Sequence, residues 1–214
     1  MSLRAGHGDD ARDVARLEAA AQDPSVVARW VAGVFTPANV VLAVMAYVAV
    51  RHSESVVEAA LWWLVTLVLV VAVPYAILFR ALQGGRVDDR QVVRRSQRPW
   101  LFVMALGCVA VALALLVLAG APSQVVALVI AMGAGLAAML LATLVAKASM
   151  HLAVAAGAVA VVVVEQPLVG AVLSLLLIPI GWARRRDGRH SVGQLVAGAL
   201  VGGVTALVVY ASLT

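Results

Sequence analysis

The chain has 214 residues, 64% of them hydrophobic and only 13% charged, with a mean hydropathy of +1.02 and a formal net charge of +5. Soluble domains do not carry that balance, and uncharged apolar stretches of about 20 residues recur, the length a helix needs to cross the hydrocarbon of a bilayer. Runs such as Val111 to Ala119 are apolar at every position, which excludes the alternating strands of a membrane β-barrel.

The expected fold class is therefore all-α: a polytopic transmembrane helical bundle of about six to seven membrane helices. Residues 1–31 read as an N-terminal segment and 32–214 as the transmembrane domain. The first segment carries Asp9, Asp10, Asp13, Glu18 and Asp23 without a long apolar run, so no cleavable signal peptide is read there. Residues 9–22 predict a short surface helix, with Asp9 or Asp10 as N-cap and Val14, Leu17 and Ala21 on one face. Apolar spans follow at about 33–50, 57–80, 99–120, 124–146, 149–165, 167–182 and 191–213. The fifth and sixth are short and are parted only by Glu165, Gln166 and Pro167, a polar turn with a helix breaker. Cys108 is the single cysteine, so no disulfide forms within the chain.

Seven spans place the N-terminus and the loops after the second, fourth and sixth on one side. That side holds 15 of the 16 basic residues, Arg51 alone lying opposite, and by the positive-inside rule it is cytoplasmic. The preference for Ala, Val and Arg over Ile and Lys points to a high-GC bacterial source and hence to an inner (plasma) membrane. Gly198 and Gly202 form a small-xxx-small face, expected to pack within the chain, with a homodimer as the alternative.

In so apolar a chain, polar residues at the membrane boundary carry the information, because burying them is costly unless something offsets it. Three groups fall on the predicted cytoplasmic side: Asp88 to Pro99, including Arg90, Arg94, Arg95 and Arg98; Lys147 to His151; and Arg184 to His190, followed by Ser191 and Gln194. Together they offer two imidazoles, a hydroxyl and a surplus of guanidinium groups. Arginine grips phosphate with paired hydrogen bonds, a neutral histidine can attack phosphorus, and a protonated one can deliver a proton to the departing alcohol, with no metal or other cofactor required. Arg4, Arg12, Arg16, Arg29, Arg94, Arg95, Arg185 and Arg186 read as ordinary positive-inside anchors. Lys147 is the only lysine among 15 arginines, which favours a role in the site. His7 and His52 lie in polar flanks and are expected to be solvated.

At these residues the chain resembles the type 2 phosphatidic acid phosphatase superfamily, the lipid phosphate phosphatases, over about residues 90–194. Arg98-Pro99 fits the first part of that family's pattern; Ser149 and His151 fit the second; Arg184, five residues, then His190 fit the third. The resemblance implies that His190 is the nucleophile and that His151 protonates the leaving oxygen. It also implies that Arg98, Arg184 and Ser149 hold the phosphate. The chain departs from the pattern where Gln91 replaces a lysine, with Arg90 beside it and Lys147 able to take its place. It departs again at Ala148, Met150 and Ala183, and at Gln194, which stands where the family has the aspartate that orients the nucleophile. The activity implied is hydrolysis of a polyprenyl or glycerolipid phosphate through a phosphohistidine. The partners implied are that lipid and the surrounding membrane lipids, with no nucleic acid. The alternative is a phospholipid-binding or scaffold protein in which Gln194 has cost the hydrolysis. A transporter is disfavoured because the membrane interiors hold no acidic residue to act as a coupling site, and a magnesium-dependent transferase because Asp88-Asp89, the only carboxylate pair near the three groups, sits in a loop.

Overall fold

The computed structural model describes residues 25–84 and 99–214, together with Ala15 and Glu18. Among the described residues the structure is all helix, with no strand: α1 (Val26–Val34), α2 (Pro37–His52), α3 (Val56–Gln83), α4 (Pro99–Leu118), α5 (Ser123–Val145), α6 (Met150–Glu165), α7 (Pro167–Arg186) and α8 (Val192–Leu213). Five of these (α3, α4, α5, α7 and α8) are each long and apolar enough to cross a membrane. The bent pair α1 and α2 makes a sixth, and α6, with 16 residues, is a shorter apolar helix. The molecule is an integral membrane helical bundle. The surface helix expected at 9–22 lies outside the described residues except for Ala15 and Glu18, which are helical and exposed. The expected division after residue 31 falls inside α1.

The first expected span, 33–50, takes in the end of α1 and most of α2, two helices bent by 42° at their junction. Pro37 disfavours helical backbone in the residue before it, and Thr36 is accordingly extended, at φ −63° and ψ 152°, with its hydroxyl capping Asn39. The Asn39 amide donates back to the carbonyls of Val34 and Gly33, at 2.9 and 3.3 Å, so the corner is braced. Within α3 the turn Leu67–Ala72 widens to a π-helix just before Pro74, where Val73 N–H reaches back to Val68. A proline cannot donate to the fourth carbonyl before it and its ring crowds that group, and the wider turn relieves both demands.

α6 and α7 are separate helices, as the Glu165-Gln166-Pro167 turn predicts. Gln166 is extended, Pro167 opens α7, and Gly170 lies against the backbone of Val163, so the two turn sharply back on each other. The closest helix crossing joins α6 to α8. A Cβ added at Gly198 would collide with the Ser149 carbonyl, and one at Gly202 with that of Ala153. The small-residue face is therefore occupied within the chain.

The main core fills the space between α2, α3, α4, α5, α6 and α8, around Met45, Val48, Trp62, Leu116, Val125, Leu128 and Tyr210. At one end of the bundle Glu165, its side chain 8% exposed, ties three helices together. Its Oε1 accepts from Tyr210 Oη at 2.6 Å, while its Oε2 accepts from Arg51 Nε at 3.3 Å and lies 2.9 Å from His52 Nε2. His52 is thus a partner of Glu165, correcting the expectation of a solvated ring; its neighbour in space comes from a segment more than a hundred residues away and leaves no local trace.

Candidate functional site

The opposite end gathers the start of α2, the later half of α3, the starts of α4 and α6, Leu136 of α5, the end of α7 and the α7–α8 connection around a cavity of about 270 Å³. Its wall includes His151, Arg184 and His190, with Leu101, Phe102, Tyr75 and Met150. Segments far apart in sequence thus meet on one hollow, and their polar side chains are buried: Arg184 is 2% exposed, His190 7% and His151 8%.

The α7–α8 connection sets two of these. Gly188, at φ +68°, takes the left-handed conformation that a helix end favours. Its N–H donates to the Arg185 carbonyl at 3.0 Å, and Arg189 N–H reaches the Arg184 carbonyl at 3.2 Å, closing a Schellman turn. That turn folds the chain so that Arg184, on the last turn of α7, and His190, just past it, face the same hollow. Asp187 Oδ2 lies 3.8 Å from the Arg184 guanidinium. Immediately afterwards Ser191 caps α8: its hydroxyl accepts from Gln194 N–H at 3.4 Å, while Gln194 Oε1 accepts from Ser191 N–H at 3.1 Å, a reciprocal capping box.

The same Gln194 oxygen lies 3.2 Å from His190 Nδ1. Because Ser191 N–H can only donate, it fixes which end of the amide is oxygen, and that oxygen can only accept. Nδ1 therefore carries the ring proton, and the lone pair of the neutral imidazole belongs to Nε2. Gln194 thus provides the orienting half of a carboxylate's work without its charge.

Ser149 and His151 are pinned to the same helix. Ser149 N–H donates to the Gln194 carbonyl at 3.0 Å, and Gly198 admits the Ser149 backbone against α8. Ser149 stands at the N-cap of α6, yet among the described residues its fully buried hydroxyl makes neither the usual cap bond nor any other hydrogen bond. The His151 ring meets the backbone of Ala32 and lies in the positive field of Arg184 and Arg189. α1 is held there by Ala28 and Ala32, which pack on Ala183.

Of the residues singled out from sequence, His151, Arg184 and His190 share the cavity wall. Lys147 and Ser149 are buried at the adjoining end of α6, and Gln194 stands behind His190. Arg90 and Arg98 lie outside the described residues, although Leu101 and Phe102, just beyond Pro99, line the cavity. Sequence reasoning missed Tyr75, on the cavity wall, and, although Arg189 fell within the third polar group, gave no sign that it acts on His151; a tyrosine beside Pro74 in an otherwise aliphatic span was the available signal for the first. No protein-family model, curated protein or solved structure matches the chain.

Proposed function

We propose that the protein is a membrane-embedded lipid phosphatase that hydrolyses a phosphomonoester or diphosphate of a polyprenyl or glycerolipid through a phosphohistidine. The observation that carries this reading is the meeting of two buried imidazoles and a buried guanidinium on one cavity that opens between apolar helices. His190 Nε2, its lone pair set by the Nδ1–Gln194 bond, attacks phosphorus while the P–O bond to the lipid breaks, and His151 gives the departing oxygen its proton. Water then attacks the phosphohistidine, His151 takes the proton back from it, and inorganic phosphate leaves with His190 regenerated. Arg184 and Arg98 bind the phosphoryl oxygens, Ser149 adds a hydroxyl, and Lys147 and Arg90 add positive charge. In this reading the site faces the cytoplasm, supported by the excess of basic residues among the connections at this end, and the membrane is a bacterial inner membrane, supported by residue usage.

Phosphate release from farnesyl phosphate and from phosphatidic acid in vesicles tests the proposal. Activity in the parent protein that falls at least a thousandfold in His190→Ala is expected; turnover that survives the substitution defeats the mechanism. A second reading is favoured by the neutrality of Gln194: the pocket binds a phospholipid headgroup without cleaving it. Co-purified phospholipid with no phosphate release from any of these lipids is its signature.

A further inference from the structure

The site sits above a second, deeper hollow of about 190 Å³. The two share Pro37, Tyr75, Ala105, Leu136 and Met150 in their walls, so they form one path from the polar mouth into the bundle. The lower part reaches Val161 of α6. That residue is ten positions beyond His151, which at 1.5 Å per residue is about 15 Å, half the thickness of a hydrocarbon core. Among the described residues of its wall, Tyr75 is the only one with a polar side-chain group.

Gly135 lines this lower hollow from the middle of α5. A glycine inside a helix costs about 1 kcal/mol relative to alanine. At Gly198 and Gly202 close packing on α6 explains it, but a Cβ added at Gly135 meets nothing within 4 Å. Helix packing does not require glycine there; what its absence of side chain leaves is room. Four of the six methionines, Met104, Met132, Met139 and Met150, line the two hollows. Their flexible thioethers adapt to apolar guests of varied shape.

We infer that the path below the site holds a hydrocarbon chain of the lipid phosphate, and that Gly135 determines how bulky a chain it accepts. This rests on the reading of the polar mouth as a phosphate site. The test compares the parent protein, Gly135→Leu, His190→Ala and Ala158→Leu, which narrows the lower hollow from α6, in detergent micelles. Each is assayed for hydrolysis of farnesyl phosphate and of the chainless p-nitrophenyl phosphate, and for direct binding of farnesyl phosphate. Both narrowing variants are expected to lose at least tenfold in kcat/KM and in affinity for farnesyl phosphate, while p-nitrophenyl phosphate turnover changes less than twofold. Unaltered farnesyl phosphate binding and turnover in both overturns the chain site and leaves the phosphatase standing. So does an equal loss on both substrates. If the parent hydrolyses neither substrate, but farnesyl phosphate binds it and His190→Ala and fails to bind the narrowed variants, the chain site stands and the phosphatase reading falls.

Discussion

Gln194 serves two neighbours with one oxygen: it caps the Ser191 N–H and holds the His190 ring. Removing the amide in Gln194→Ala breaks both, so helix capping weakens by about 1 kcal/mol and the imidazole loses its orientation. The expected outcome is a modest fall in thermal midpoint together with a loss of phosphate release of at least tenfold. Gln194→Glu keeps the length and the capping box and adds the charge that favours an imidazolium. A hydrogen bond to a charged group is worth about 1 kcal/mol more than a neutral one, so kcat rises roughly fivefold to tenfold at unchanged stability. A Glu variant no faster than the parent shows that orientation, not charge, is what His190 needs. At this scale the sequence was informative where chemistry is local. Spacing alone puts Gln194 one turn from His190, and the paired basic and imidazole residues announce themselves in an aliphatic chain. It was silent where neighbours are distant. Nothing near Ala32 predicts that its backbone meets His151, and nothing near His52 predicts Glu165.

Among the helices, the α6–α8 crossing both holds the bundle and sets the height of the site, because Ser149 and Ala153 lie directly on Gly198 and Gly202. Gly202→Leu cannot be accommodated by a side-chain adjustment, since the obstacle is backbone. It is expected to destabilise by about 3 kcal/mol or more and to displace His151, which would be read as a lowered thermal midpoint and lost activity together. Glu165→Ala probes the other end of the same helices. It removes the acceptor of Tyr210 and the partner of Arg51 and His52 at once, costing roughly 2–4 kcal/mol. Because Glu165 is a helix length away from His151 and the polar mouth, phosphate release at low temperature should be retained while the thermal midpoint falls. The two variants separate loss of the fold from loss of the site. Hydropathy located these helices well, because an uncharged run of this length has few other homes. The bend at Thr36-Pro37 and the π-turn before Pro74 fell inside one apolar run each, and hydropathy does not register a change of direction within a run.

For the molecule as a whole, the arrangement stands on the separation of its two ends. The cavity residues His151, Arg184 and His190 mark one, and Arg51, His52 and Glu165 the other, with the apolar lengths of α2, α6 and α8 between them. Basic residues are concentrated in the connections at the first end, and moving such loops across a membrane is unfavourable, which is the ground for proposing that this end faces the cytoplasm. Cysteine labelling in intact cells checks the assignment, with Cys108→Ala removing the single native thiol. Glu54→Cys lies in the exposed turn between α2 and α3, next to Arg51. Arg185→Cys lies exposed on the last turn of α7, at the cavity end. A membrane-impermeant maleimide should label the first in intact cells and the second only after permeabilisation. The reverse pattern would set the phosphate site on the outer face and require lipid phosphates of the outer leaflet. Equal labelling of both in intact cells would mean that the chain does not hold a single orientation, and the charge asymmetry would then no longer identify the side on which the substrate is met.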